Sequence, residues 1–235
     1  MIIINISGPP GIGKTSICKA LSSAISNYGI KTLCISLTGF HYASFIASQV
    51  LLQIFILLGK ASFSSTKVHP YDCIPQEYLK PLLKLAYFLE FMSIYCKVLV
   101  LFLKIIILKP KIILIDEGFP HVMFNYTMFY YVRGSSFHLS LNRHLIRILA
   151  KLSQRFDVKM LLILPTNILS VAEGWRSRDS GTPNRIILQH LQAYYMITPL
   201  FIKLLKNLPV EVAVFNDLRD GLSFILKHVL MGIRG

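Results

Sequence analysis

Eight residues near the amino end, Gly8-Pro9-Pro10-Gly11-Ile12-Gly13-Lys14-Thr15, place three glycines ahead of a lysine and a hydroxyl. Glycines let the backbone curl so that successive N–H groups converge on one point, and such a concave row of donors is an anion site. The anion that fits is a polyphosphate. Residues Gly8 through Ser16 would cradle it, Lys14 would reach its outer phosphates, and the Thr15 hydroxyl would hold Mg²⁺. A second set of groups lies a hundred residues on, in Lys111-Ile-Ile-Leu-Ile-Asp116-Glu117-Gly118, an apolar run that ends in two carboxylates. Asp116 suits the cation that Thr15 touches. Glu117 suits the polarising of an acceptor hydroxyl or a water.

These groups can work together only if the chain positions them. Met1 to Ser7 is apolar and β-branched and reads as a buried strand, while Ser16 to Ser26 carries Ile17, Leu21, Ala24 and Ile25 at helical spacing. Strand, glycine loop and helix is the setting in which the pattern binds phosphate, because the helix adds its positive end. Five strands are expected, at Ile2–Ile6, Thr32–Leu37, Lys111–Ile115, Val158–Leu164 and Val210–Phe215, with helical sequence between them. That alternation predicts an α/β fold of three layers, α/β/α, around a five-stranded parallel sheet. Ligands bind beyond the carboxyl ends of such strands, where Asp116 and Glu117 fall.

We read residues 1–235 as one domain, with 41–108 a largely helical insertion between the second and third strands and 171–185 a lid-like segment. Within the insertion, His41 to Leu58 reads as a helix, Gly59 to Pro75 as a loop, and Gln76 to Leu108 as a long apolar helix. Leu85 to Leu108 is long enough to cross a bilayer. A crossing helix would, however, put the strands before and after it on opposite sides of the membrane. Glu90, Lys97 and Lys104 also recur every seven residues, on one side of the helix, as a wet or ligand-facing edge would require. Peripheral attachment suits this region better than a span.

Hydrophobic residues make up 54% of the chain, yet its net charge is +14, and all nine arginines lie from Arg133 onward. A basic balance fits polyanionic ligands; nothing in the pattern requires nucleic acid. The scattered Cys18, Cys34, Cys73 and Cys96 contain no C-x-x-C pair and read as small core residues in a reducing compartment. The short opening apolar run is unlike a signal peptide, so a cytoplasmic location is expected, with peripheral membrane contact and homodimerisation both open.

With both motifs in place, the chain resembles the P-loop nucleotide and nucleoside kinases, most closely the thymidylate kinase-like group. The resemblance implies ATP and Mg²⁺ as ligands and a phosphoryl transfer to a small-molecule acceptor. It implies that Arg176 and Arg178 act as lid arginines over the transferring group, and that Asn216-Asp-Leu-Arg-Asp220 packs against the adenine. Two acceptor signatures of that group have no counterpart. Asp116-Glu117-Gly118 stands where Asp-Arg-Tyr is usual, and Thr38-Gly39-Phe40-His41 lacks the Arg-Glu-Pro type of sequence. The acceptor is therefore open between a nucleotide, a nucleoside and another small molecule. Arg133, Arg143, His41, Tyr42, His69, Tyr71, Asp72 and Glu90 are candidates for its side of the site.

Other classes use the same two motifs. An ATPase of the AAA or additional-strand type would use Glu117 on water and has a polar strand tip in Leu162-Ile-Leu-Pro-Thr-Asn167. A nucleotide-dependent binding protein without transfer is a third reading. Strand order separates the first two, since the kinase arrangement puts the acidic strand beside the first strand. No Asn-Lys-x-Asp guanine signature is present.

Overall fold

Short β-branched runs joined by longer helical segments cannot pair as hairpins, so each strand must return through a crossover and the sheet must be parallel. The computed structural model describes residues 1–37, 43–60, 74, 76–133, 136–177 and 184–234. In chain order the elements are β1 (Ile2–Ser7), α1 (Lys14–Asn27), β2 (Thr32–Ser36), α2 (Ala43–Leu57), α3 (Gln76–Leu108) and β3 (Ile112–Asp116). There follow α4 (Phe119–Arg133), α5 (Ser136–Ser153), β4 (Asp157–Ile163), α6 (Ile168–Arg176), α7 (Asn184–Leu205), β5 (Glu211–Phe215) and α8 (Leu218–Arg234). All pairings are parallel, in the order β2-β3-β1-β4-β5. This is the three-layer P-loop fold, with α2 and α3 inserted between β2 and β3.

Alternate residues of each strand feed two different cores. Ile3, Ile113, Ile115, Met160 and Leu162 pack with Phe119 and Phe124 of α4, Leu149 of α5 and Leu205 of α7. Ile4, Ile6, Leu114, Leu161 and Ile163 face the other way, onto Ile17, Leu21 and Ile25 of α1 and Ile225 of α8. Removing one such aliphatic side chain, as in Leu114→Ala, costs about 2–5 kcal/mol. Burial on both faces is complete for β1 and β3 and nearly so for β4; β2 and β5 are only half-buried, because an edge strand has a neighbour on one side alone. The edge position also corrects the cysteine expectation. Cys18 is a core residue, but Cys34 on β2 and Cys96 on α3 are exposed, and Cys73 lies outside the described residues.

The strands and the long helices fall within one or two residues of their expected places. Between β3 and β4 stand two helices, α4 and α5. α4 packs across β1 and α7 while α5 packs along α4, so a single helix would have left that face of the sheet half covered.

The register brings the chemistry to one edge. Ile6 pairs with Asp116 and Ser36 pairs with the same residue, so β1, β2 and β3 end level with one another. The glycine loop leaves β1 at that level.

Candidate phosphate-binding and transfer site

The loop from Gly8 to Gly13 is shaped by what lies behind it. Gly11 has φ 99°, and a Cβ there would come within 2.6 Å of the Val171 carbonyl oxygen and 2.8 Å of the Trp175 nitrogen. Gly174 meets the same contact from the other side, since its Cβ would lie 2.6 Å from the Gly11 oxygen. The phosphate loop therefore leans main chain to main chain on α6, an approach only glycines allow. Asn167 starts α6 by accepting hydrogen bonds at Oδ1 from the Leu169 and Ser170 N–H groups, at 3.1 and 3.2 Å.

At the far end of the loop, Gly13 takes the cap position of α1 with φ 84°, and no side chain caps the helix. The first-turn N–H groups are thus left to an external acceptor, and they carry the positive end of the helix dipole. Lys14 is buried and donates from Nζ to the Pro9 carbonyl at 2.8 Å, which folds its ammonium back over the loop. Pro9 and Pro10 shape the loop's opening turn, and Ile12 packs its side chain against both Ile163 and α6. Ser16 is exposed on the first turn of α1.

The decisive geometry is the contact between the two motifs. Thr15 Oγ1 donates to Asp116 Oδ2 at 2.6 Å, across 101 positions of sequence. Asp116 is almost fully buried, and its second oxygen, Oδ1, has no hydrogen-bond partner. An orphaned carboxylate oxygen beside a hydroxyl, next to an N–H cradle, is a donor set for a hard cation. No cluster of three metal-ligating side chains occurs among the described residues. Magnesium at a phosphate site does not need one, because phosphate oxygens and waters complete its shell.

Behind Asp116 the chain is fixed by a residue that the sequence reading passed over. Asn5, wholly buried in β1, accepts the Phe119 N–H at Oδ1 (3.4 Å) and lies against Gly118, where a Cβ would sit 2.1 Å from that oxygen. Glu117 between them has φ 50°, the left-handed region. A non-glycine residue is held there only when its surroundings over-determine the backbone, and here Asn5 and the start of α4 do so. The signal was available: a lone amide inside Ile-Ile-Ile-Asn-Ile is out of place in a strand with two apolar faces.

His121 and His190 were also unforeseen. Burial first, then the charge of Lys14 and the neighbouring His190, hold His121 well below the usual histidine range, against an opposing hydrogen bond to the Gly8 main chain. Burial alone lowers His190 to about 4. His190 stands edge-on to Trp175 of α6 and to Phe124 of α4, with ring centroids 5.1 and 5.0 Å away. A neutral imidazole pair thus backs the loop without adding charge beside Lys14.

On the other flank, α3 turns its charged side inward. Glu90 is buried and accepts a hydrogen bond from Tyr126 of α4. Burial lowers Lys97 to about 8, opposed by the charges of Glu90 and Glu117. Burial first and then Glu90 push the Tyr126 phenol well above its ordinary range. These groups share a narrow space of about 20 Å³, room for a water molecule, with Leu37, Phe119 and Val122. The seven-residue spacing therefore marks a side turned toward α4 and α5 at Glu90 and Lys97, whereas Lys104 is exposed. That side is not a wet edge, because α4 and α5 close over it.

A second, wider cleft of about 330 Å³ opens beside the loop, lined by Gly11, Ile12, Thr166, Asn167, Asn216 and Asp217. It brings Asn216 and Asp217 to the loop. Arg176 ends α6 with its side chain in solvent, and Arg143 is exposed on α5. Arg178, His41, Tyr42, His69, Tyr71 and Asp72 lie outside the described residues, as does the side chain of Arg133. The segment 171–185 is helical through Arg176, and residues 178–183 of it are likewise outside the description.

Fold and loop geometry together define an α/β/α protein with the three-layer P-loop fold. Among solved structures the chain is similar to deoxyadenosine kinase from M. mycoides with bound dATP, over 97% of this chain and 98% of that one, with a TM-score of 0.46 and 13% identity. The same enzyme with products dCMP and dCDP matches with a TM-score of 0.46 and 11% identity, covering 97% and 99% of the two chains. With bound dCTP the TM-score is 0.44 and the identity 10%, at 97% and 99% coverage. No family model and no curated protein matches the chain. Likeness at this level says nothing about substrate.

Proposed function

We propose that the chain is a magnesium- and ATP-dependent phosphotransferase that acts on a small acceptor, a nucleoside, a nucleotide or another hydroxyl- or phosphate-bearing molecule. The observation that carries this reading is the Thr15–Asp116 contact at 2.6 Å, which joins the loop and the acidic strand at one cation position. Main-chain N–H groups of Gly11 to Thr15 and the Lys14 ammonium would neutralise the phosphate tail, and the base would occupy the cleft at Asn216 and Asp217. Magnesium held by Thr15 and Asp116 would offset charge on the outer phosphates.

Glu117, beside the cleft that contains Glu90 and Lys97, is the group placed to polarise an acceptor hydroxyl or to orient an acceptor phosphate. Arg176 and Arg178 would close over the transferring group, Arg176 from the helix that already touches the loop through Gly174. The exposed thiols of Cys34 and Cys96 suit the reducing cytoplasm as the place of action.

The strand order favours transfer over the additional-strand ATPase reading, since β3 with its Asp116 lies directly beside β1. The Asp116-Glu117 pair keeps hydrolysis as the second reading. The test is ADP release by purified protein with ATP and Mg²⁺, screened against nucleosides, nucleoside monophosphates and sugars. Release that depends on one acceptor class is expected. Equal release with every acceptor and with none would replace transfer by hydrolysis, and unaltered ATP binding in Lys14→Ala would remove the loop from the scheme.

A further inference from the structure

The outer side of α3 is apolar over its whole length and faces away from the molecule. Phe88 is 56% exposed, Leu99 60%, Ile106 65% and Ile107 73%. Phe88, Met92, Tyr95, Leu99, Leu103 and Ile106 or Ile107 recur at intervals of three and four, so they form one face. From Leu85 to Leu108 that face runs about 35 Å at 1.5 Å per residue. No charged side chain interrupts it, because Glu90 and Lys97 point to the cleft on the opposite side. α2 packs beside α3 and widens the surface with Ile46, Val50 and Ile54, all exposed. Contiguous apolar surface of this extent marks a contact site.

We propose that this face docks α3 in the plane of an anionic membrane surface, along the helix rather than through the bilayer. Charge selects the occupant. Exposed lysines stand at both ends of the face, Lys80 and Lys84 at one and Lys109 at the other, with Glu77 the one exposed acid along α3. The whole chain carries +14. A second copy seated on the same face would bring basic ends against basic ends, whichever way the two helices ran, since a two-fold contact pairs a surface with itself. Anionic headgroups meet each of those lysines with the opposite sign.

The helix is apolar enough to span a bilayer by length and composition. Its middle, however, carries Glu90 and Lys97 against α4 and α5, and it leads from β2 to the adjacent β3 within one sheet. A span would strand those charges in hydrocarbon and pull the sheet apart. Lying flat buries the apolar side and leaves the inner side in the protein. The acceptor-side cleft would then lie within about one helix diameter, roughly 10 Å, of the headgroups. The docking does not depend on the transfer reading.

The test is sedimentation of the full chain with vesicles of phosphatidylcholine alone and with equal parts of phosphatidylglycerol. Binding to the anionic vesicles is expected at least about tenfold tighter than to the neutral ones, and weaker as salt rises. Leu99→Glu/Ile106→Glu should abolish it with the melting temperature unchanged, because both side chains are already in solvent. Lys84→Glu/Lys109→Glu should weaken it about tenfold or more. Failure of the wild-type chain to sediment with anionic vesicles would overturn the proposal. So would a stable dimer in analytical ultracentrifugation that Leu99→Glu/Ile106→Glu splits, or vesicle-bound protein that resists extraction at alkaline pH.

Discussion

The phosphate loop and the inner side of α3 flank the same strand ends but are assembled by opposite means. The loop side is made by contiguous residues and mostly main-chain groups, so its geometry follows from three glycines, one lysine and the helix that starts after them. The α3 side is made by single side chains from separate segments, Glu90 and Lys97 from α3, Tyr126 from α4 and Glu117 from the strand tip, and burial sets their charge states. The contrast teaches that one half can be specified by a short motif, while the other can be retuned by changing one residue at a time. A site that accepts a common donor and a particular acceptor needs both kinds of construction.

If the two halves are separable in this way, variants on the loop side should abolish donor binding, and variants on the α3 side should leave it intact. Lys14→Ala should lower ATP affinity by a factor of about 100 or more in calorimetry, the loss of charge-assisted contacts worth about 3 kcal/mol. Gly11→Ala comes next. Its Cβ would meet the Val171 oxygen at 2.6 Å from a backbone at φ 99°, so α6 must retreat from the loop. We expect a loss of about 2–3 kcal/mol in denaturant unfolding, with weaker ATP binding in the folded fraction.

The pH prediction concerns the backing of the loop. His190 titrates at about 4 in the folded chain, below the ordinary 6.5. The unfolded chain binds the extra proton in between, so stability present above pH 6.5 is lost as pH falls toward 4. His190→Phe keeps an aromatic ring against Trp175 and Phe124 and should flatten that part of the stability–pH curve by on the order of 2 kcal/mol. Asp116→Asn should raise the magnesium requirement about tenfold, read from the Mg²⁺ dependence of ATP binding. The smallest effect sharpens the comparison most. Glu90→Gln should change ATP affinity by less than about twofold while shifting acceptor KM, and an equal loss on both substrates would show that the two halves are one unit.

Legibility followed the same divide. Every strand of the sheet could be placed from apolar runs bounded by turn residues, and the loop, Thr15 and Asp116 could be read as a set because their chemistry needs that spacing of types. α4 and α5 are not told apart by sequence pattern, since between Pro120 and Ser153 Gly134 is the one strong breaker. Asn5 could have been found as an amide in an apolar strand. His121, His190 and Tyr126 could not, for each is an ordinary helix residue until a neighbour from a distant segment is packed against it.

The amino-acid order alone decided that a glycine loop opens between the first strand and a helix, that five strands alternate with helices, and that a carboxylate ends the third. These depend on local conformational preference and on periodicity, which act over a few residues. Tertiary packing decided that Asp116 reaches Thr15, that Glu90 and Lys97 turn inward while the apolar side of the same helix is left outside, and that α6 rests on Gly11. Such matters turn on which surfaces meet when the sheet closes, and the sum of contacts between distant segments, not any local preference, selects that arrangement.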